Sequence, residues 1–181
     1  MTEHHDLQGD LKTLYPFKYR TPKISPSVFL APGSHVVGDV EIGDGASIWF
    51  NTVLRGDVNF IRVGERTNIQ DLTMVHVSFR ANPTLIGSDV TVGHSSILHA
   101  CTIGNFALIG MGSVVLDEAE IGDFVLLGAG SLVTQKTKIP SGTKAFGRPA
   151  KVVGDLTEKE IAALRFSAAH YQKLAESYRK P

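Results

Sequence analysis

The chain repeats a six-residue unit. From Ile97 onwards an aliphatic residue recurs at every sixth position without a break as far as Ile139. The members of this run are Ile97, Ile103, Ile109, Val115, Ile121, Leu127, Val133 and Ile139. Several are followed directly by glycine, so the unit reads aliphatic-Gly and then four variable residues. A period of six fits neither a helix nor a strictly alternating strand, and it predicts a solenoid of short stacked strands.

The same step extends towards the amino terminus with interruptions. The upstream members are Val36, Ile42, Ile48, Leu54, Val63, Ile69, Val75, Ile86 and Val92. The phase slips at two predicted loops, residues 57–62 and 78–84, and by one missing residue near Ile97. Three sides of six residues make one coil, so the series predicts about six coils, above the three that a solenoid needs. We therefore predict an all-β parallel β-helix over residues 21–145 of a single-domain chain.

Two segments lie outside the repeat. Residues 1–20 form an N-terminal segment with little pattern, and we interpret His4 and His5 as part of a solvated tail. Residues 146–181 are predicted to form an exit turn and a helix, because Thr157 and Glu160 match a capping box. The apolar positions at helical spacing are Ile161, Leu164, Ala168, Tyr171, Leu174 or Ala175, and Tyr178. This stripe predicts a C-terminal helix that packs along the β-helix.

Composition narrows the partners and the compartment. The 18 Lys and Arg residues balance the 18 Asp and Glu residues, so the net charge is zero and indicates no nucleic-acid or anionic membrane partner. Cys101 is the single cysteine, which fits a reducing compartment, and the cytoplasm is the expected location. No window approaches the roughly 20 apolar residues of a membrane span.

One side of the predicted prism carries a column of basic side chains. Leu54, Val75 and Leu98 take equivalent inward positions on three successive coils, although Leu98 lies one residue off the Ile97 phase. The residues that follow them are Arg55, His76 and His99. Neighbouring strands are about 4.8 Å apart, so two histidines one coil apart can share a metal ion.

A second column lies on an adjacent side. Asp71 and His94 each stand two residues after an equivalent aliphatic position, Ile69 and Val92. His94 lies around a corner from His76 and cannot readily join it within one chain. A third ligand would then come from His94 of a neighbouring subunit, which implies a closed ring. For each histidine taken alone, a surface or hydrogen-bonding role is the alternative.

The motifs around these histidines resemble a known family. The segment RGDVNFIRVGERTNIQDLTMVHV, followed by VGHSSILHACTIGN, is similar to the γ-class carbonic anhydrases, and the similarity runs from about Ser25 to the final helix. Arg-x-Asp, Asn-x-Gln-Asp and His-x-x-x-x-His match in order and spacing. The resemblance implies a left-handed β-helix, a homotrimer and three interfacial histidines that bind Zn²⁺, with Fe²⁺ or Co²⁺ as alternatives.

The resemblance also implies roles for individual residues. His76 and His99 would come from one subunit and His94 from the next. Gln70 resembles the residue that hydrogen-bonds the metal-bound water, and Asn68 resembles the residue that orients it.

Four further positions carry over with less defined roles. Arg55 and Asp57 resemble an ion pair between subunits, and Asp71 either orients a ligand or joins that network. Tyr171 resembles a family tyrosine near the metal, and a packing anchor is its alternative role.

The chain also departs from the family pattern. Val58 follows Asp57 where the archetypal member has glutamate, and the loop SFRANPT lacks the glutamate that shuttles protons. We therefore expect a trimeric, metal-dependent hydratase that converts carbon dioxide to bicarbonate, with slow turnover. The alternatives are an acyl-coenzyme A thioesterase or acyltransferase on the same fold, which would use the groove between subunits, and a non-catalytic trimeric binding or assembly subunit.

Overall fold

Short parallel strands wind into a three-sided solenoid with one helix along it. The computed structural model describes residues 13–18, 20–79 and 82–179. The strands are β1 Leu14–Tyr15, β2 Lys23–Ile24, β3 Phe29–Leu30, β4 His35–Ile42, β5 Ser47–Ile48, β6 Val53–Val63, β7 Asn68–Ile69, β8 Met74–His76, β9 Thr84–Ile86, β10 Thr91–Val92, β11 Ile97–His99, β12 Thr102–Ile103, β13 Leu108–Ile109, β14 Val114–Val115, β15 Glu120–Ile121, β16 Leu126–Leu127, β17 Leu132–Val133, β18 Lys138–Ile139, β19 Thr143–Gly147 and β20 Ala150–Asp155. The helix α1 covers Glu158–Arg179.

The strands stack into three faces. Face 1 consists of β3, β5, β7, β10, β13, β16 and β19. Face 2 continues from the first halves of β4 and β6 through β8, β11, β14 and β17, and face 3 continues from their second halves through β9, β12, β15 and β18. Successive coils pair in parallel, and about seven coils are stacked. The predicted all-β parallel solenoid with a C-terminal helix is therefore confirmed.

The interior is filled by one aliphatic side chain from each side of each coil. Ile48, Leu54, Ile69 and Ile109 are examples with no exposed surface. Burial of such side chains is the main source of stability in a solenoid. Each coil contacts only its neighbours, so this burial takes place between adjacent coils.

Two details of the predicted phase were wrong. Leu98 is fully buried whereas Ile97 is 42% exposed, so the six-residue run does not begin at Ile97. The missing residue lies between Leu98 and Ile103, at a corner where Ala100 has a positive φ of 47°. The slip at residues 57–62 is not a loop, because β6 continues around the corner from face 2 to face 3.

Both ends of the solenoid hold more strand than expected. Within the N-terminal segment, β1 pairs with β4, and His4 and His5 lie outside the described residues. The segment interpreted as an exit turn contains an antiparallel hairpin of β19 and β20. The hairpin extends face 1 by one strand beyond the last parallel coil.

The helix α1 begins at the predicted capping box. Glu160 accepts a hydrogen bond from the backbone nitrogen of Thr157 at 2.7 Å, and Thr157 Oγ1 accepts one from the backbone nitrogen of Glu160 at 3.3 Å. These reciprocal bonds satisfy donors that a helix start leaves unpaired. Among the described residues, no helix is both long and apolar enough to cross a lipid bilayer.

Packing fixes the position of α1 on the solenoid. The ring of Trp49 lies 5.4 Å from the ring of Tyr178, centroid to centroid. Further along the helix, the guanidinium of Arg165 lies over the stacked rings of Phe106 and Phe124 at 4.6 and 4.8 Å. These contacts hold α1 over face 1.

Candidate metal centre

Two histidines face each other on face 2. Arg55, His76 and His99 are register partners on three adjacent strands, as the sequence predicted. The ring nitrogens His76 Nδ1 and His99 Nε2 lie 3.2 Å apart. Two nitrogens bound to one tetrahedral ion at about 2.0–2.1 Å are about 3.3 Å apart, so this pair has the separation of two ligands of one metal ion.

An ion pair lies beside the ring nitrogen of His76 that points away from His99. His76 Nε2 lies 3.1 Å from Asp57 Oδ1, and the guanidinium of Arg55 bonds the other oxygen of the same carboxylate. Burial disfavours the charged form of Asp57, but hydrogen bonds from Arg55 and His76 outweigh it and hold the pKa of the carboxyl below its usual range. Burial also lowers the pKa of His76, which favours the neutral imidazole that a metal requires.

His94 stands apart from this pair. The register of Val92 with Ile69 brings His94 next to Asp71, and His94 Nδ1 lies 2.7 Å from Asp71 Oδ2. The remaining ring nitrogen, Nε2, is therefore available to another partner. In the parts of the chain that the structure describes, no three His, Cys, Asp or Glu side chains gather into a potential metal site. The predicted set of three histidines is not assembled within one chain.

A third carboxylate, Asp117, was missed by the sequence reasoning. Its Oδ1 lies 2.6 Å from His99 Nδ1, the nitrogen that points away from His76. The signal was available, because Asp117 follows His99 by 18 residues, one full coil. Each of the three histidines thus has one ring nitrogen beside a carboxylate and one that remains for a ligand, which is the arrangement typical of metal-binding histidines.

A chain of hydrogen bonds orients Gln70. Its Nε2 donates to Asn68 Oδ1 at 3.1 Å, and both side chains are almost completely buried. Asn68 Nδ2 in turn donates to Thr91 Oγ1 at 3.0 Å, and Thr91 Oγ1 lies 2.9 Å from the hydroxyl of Ser167 on α1. One N–H of Nε2 is committed to Asn68, so Gln70 keeps its second N–H and its carbonyl oxygen Oε1 for a partner in the cleft that it lines.

Tyr171 lies on α1 at the edge of the same cleft as Gln70 and His94. Its ring packs edge-on against Trp49 at 5.5 Å between centroids. Burial and the negative charge of Asp71 raise the pKa of the phenol, so the hydroxyl keeps its proton at neutral pH. The geometry is compatible with both roles considered above, because the ring is a packing contact and the residue also borders the cleft.

The chain matches the family model described as bacterial transferase hexapeptide (six repeats), over residues 21–56 and 100–135. The two matched blocks lie on either side of the segment that carries Gln70, His76 and His94. The match therefore accounts for the solenoid and does not identify the chemistry of the site.

Whole-chain comparisons are more specific. The chain is 49% identical over 166 residues to "Carbonic anhydrase" of Geobacillus kaustophilus, which covers 92% of this chain and 91% of that protein. It is 48% identical over 170 residues to "Gamma carbonic anhydrase 2, mitochondrial" of Arabidopsis thaliana, which covers 91% of this chain. The match spans only 61% of the length of this Arabidopsis relative.

A solved structure shares both fold and sequence. The crystal structure of a hexapeptide transferase family protein from Anaplasma phagocytophilum superposes with a TM-score of 0.88 at 48% identity. The match covers 92% of this chain and 98% of that protein. The solenoid with its C-terminal helix is thus the architecture of a close relative.

Proposed function

Because the chain belongs to the γ-class carbonic anhydrase family, we propose that it is a metal-dependent hydratase that interconverts carbon dioxide and bicarbonate. One observation carries the proposal: two imidazole nitrogens face each other at 3.2 Å, and the opposite side of each ring lies against a carboxylate. If each ring donates its outer N–H to a carboxylate, both facing nitrogens carry lone pairs. A proton or a cation between them is then needed to offset their repulsion.

The residues fit a metal cofactor. His76 and His99 of one subunit would hold it together with His94 of the partner subunit, in a homotrimer with one centre at each interface. Zn²⁺ is the proposed ion, and imidazole ligands also suit Fe²⁺ or Co²⁺. When bound, such an ion lowers the pKa of a water molecule towards 7 and so supplies a nucleophile near neutral pH.

The surrounding side chains have defined tasks in this proposal. Each of the three carboxylates accepts a hydrogen bond from the N–H group of one histidine ring. This bond keeps the other ring nitrogen unprotonated and free to bind the metal. The carboxylates are those of Asp57, Asp71 and Asp117. Gln70 Oε1 orients the nucleophile, and Asn68 holds the Gln70 amide in that orientation. Arg55 stabilises the carboxylate of Asp57 from the side remote from His76. Tyr171 borders the space for the substrate.

Export of the proton is the weak step. Val58 is exposed and apolar, and the SFRANPT loop contains no acid, so neither position can relay a proton from the site to solvent. Turnover should then depend on buffer and be slower than in family members that carry the shuttle glutamate. The net charge of zero gives no reason for a nucleic-acid or membrane partner, and we propose the cytoplasm as the compartment.

The decisive experiment combines metal analysis with a stopped-flow carbon dioxide assay on the same purified sample. We expect hydration that rises with pH near 7 and with imidazole concentration at fixed pH, because a mobile base replaces the missing shuttle. Gln70→Ala should lower turnover with metal still bound. A metal-replete trimer that hydrates no carbon dioxide at any imidazole level, yet cleaves acyl-coenzyme A thioesters, would favour the acyl-transfer alternative. A trimer inactive in both assays would favour a binding or assembly subunit.

A further inference from the structure

The cleft beside Gln70 and His94 continues well beyond them. It follows face 1 along β13 and β16 and is bordered on one side by α1 through Ser167 and Tyr171. Its volume is about 400 Å³. The part beyond Gln70 and His94 takes no role in the proposed hydration.

The floor of this cleft is a column of glycines. Gly93, Gly110 and Gly128 each follow the inward residue of face 1 on three successive coils. Gln70 takes the equivalent position on the coil before Gly93, and Phe146 takes it on the coil after Gly128. A Cβ on Gly128 would lie 1.9 Å from Cδ1 of Phe146, so the ring of Phe146 covers this end. The result is a trough three coils long between Gln70 and Phe146.

The polar groups of the trough are concentrated at one end. The end nearest the candidate metal centre holds the polar lining residues Gln70, Thr91, His94, Ser167 and Tyr171. Beyond them the lining side chains are apolar, and the largest are Leu108, Leu126 and Met111. Leu108 and Leu126 are register partners on adjacent strands and present a continuous wall. A site with one polar end and an apolar body fits an amphiphile better than a small polar molecule.

The volume of this trough is much larger than carbon dioxide requires. A water molecule takes about 30 Å³ of liquid volume, and a triatomic gas is of the same order. A cleft of about 400 Å³ lies instead in the range of about 300–1,000 Å³ that is usual for organic ligands. The trough therefore has room for a ligand several times larger than the proposed substrate.

We propose that the trough binds a monocarboxylate with an unbranched alkyl tail, its carboxylate at Gln70 and His94 and its tail along Leu108 and Leu126. The placement of the carboxylate next to a bound cation rests on the proposed function, whereas the placement of the tail rests on the trough alone. The alkyl chain would displace water from the glycine floor and from both leucines, which is the source of its affinity.

The test is calorimetric titration of the purified oligomer with acetate, butyrate, hexanoate and octanoate, in metal-loaded and metal-free protein. Affinity should rise about three- to fourfold with each added methylene until the trough is full. The metal-free protein should bind every member more weakly and keep the same ratio between successive chain lengths. Affinity that does not depend on chain length would overturn the proposal. This result is expected if side chains of a partner subunit fill the trough.

Matched variants locate the tail. Leu126→Gln keeps the side-chain volume and adds a polar amide to the wall, so the gain per methylene should fall below twofold. Leu85→Gln makes the same change on face 3, outside the trough, and should leave the gain unchanged. Circular dichroism and light scattering establish that both variants fold and assemble. Equal effects of the two variants would contradict a tail site at Leu126.

The two proposals fail separately. Chain-length dependence in a protein that hydrates no carbon dioxide would refute the hydratase proposal and support the tail site. Active hydration with uniform affinity for all four carboxylates would support the hydratase and refute the tail site.

Discussion

Asp117 Oδ1 lies 2.6 Å from His99 Nδ1, one coil further along the solenoid than the histidine it contacts. Asp57 and His76 show the same relationship in the opposite direction, with the carboxylate one coil earlier and 3.1 Å away. The stacking of coils thus gives the two facing histidines carboxylate partners from above and below. A carboxylate on the outer nitrogen fixes the tautomer of the ring and raises its basicity as a ligand.

Removal of the Asp117 carboxylate should weaken metal binding. We expect Asp117→Asn to lower the affinity for Zn²⁺ about 10- to 100-fold, because the amide no longer favours the required tautomer of His99. Glu118→Gln is the matched control, since its carboxylate lies 3.8 Å from Lys136 and not beside a histidine. Competition with a chelator of known affinity measures both. Wild-type affinity in Asp117→Asn would show that Asp117 does not support a metal ligand.

Mixed trimers test the proposed sharing of ligands between subunits. His76→Ala and His94→Ala should each abolish metal binding in a homotrimer, because every interface then lacks one ligand. Co-refolding of the two variants should restore one complete site in each mixed trimer, where an intact His76 and His99 pair meets His94 of the partner subunit. Metal content per trimer, measured on differentially tagged and purified mixed species, gives the result.

The outcome that contradicts shared sites is equally clear. If the ligands came from one chain, mixing His76→Ala with His94→Ala would restore nothing. Mixing His76→Ala with His99→Ala is the matched control, because both changes affect the same side of the interface. Light scattering should give about three times the chain mass of 19.5 kDa for every mixture.

The period of the sequence predicted the fold because the solenoid repeats one physical solution, an aliphatic residue inward on each side. It failed where two neighbouring residues were both aliphatic. Ile97 and Leu98 are equally apolar, so the pattern alone could not show that the shortened corner follows His99. The hairpin of β19 and β20 was missed for a related reason, since Val152 and Val153 are exposed and follow no core period.

Parts of the candidate site were predictable to different degrees. The stacking of His76 on His99 followed from counting coils, and the same count of 18 residues would have given Asp117. The contact of Thr91 with Ser167 was not accessible in this way, because 76 residues separate them and the position of α1 depends on aromatic packing with Trp49. Periodicity places residues within the solenoid, but it does not dock a helix against it.

The contact between α1 and the solenoid should influence turnover through Gln70. Ser167→Ala removes the hydroxyl that lies 2.9 Å from Thr91 Oγ1 and so loosens the chain of bonds to Asn68 and Gln70. We expect hydration to fall about two- to tenfold with metal content unchanged, the range of one hydrogen bond. Ser167→Thr keeps a hydroxyl and should restore most of the rate.

The control for this variant lies on the same helix. The Ser177 hydroxyl donates to the backbone oxygen of Leu174 within α1, so Ser177→Ala should leave turnover unchanged. Stopped-flow rates with parallel metal analysis compare the three variants. Equal losses in Ser167→Ala and Ser177→Ala would mean that the effect is a general one on the helix and not on Gln70.

The start of α1 should give the protein a stability component that disappears in acid. Glu160 accepts hydrogen bonds from the backbone nitrogen of Thr157 at 2.7 Å and from Lys144 Nζ at 2.9 Å, which lower the pKa of the carboxyl from 4.5 to about 2. A pKa that is lower in the folded than in the unfolded state stabilises the fold above pH 4.5, and this contribution is lost as the pH falls towards 2.

Replacement of Glu160 tests this directly. Glu160→Gln should lower the melting temperature at pH 7, and the difference from the wild type should shrink steadily below pH 4.5 because the wild-type carboxylate is then being protonated. Glu158→Gln removes a charge from the same helical turn. Within the described residues the Glu158 side chain forms no hydrogen bond or ion pair, so this variant loses none. Its melting temperature should therefore show a smaller change at pH 7. Thermal unfolding, followed by circular dichroism from pH 7 to 3, gives the melting temperatures of all three proteins. A difference between Glu160→Gln and wild type that stays constant over this range would contradict the role assigned to the carboxylate.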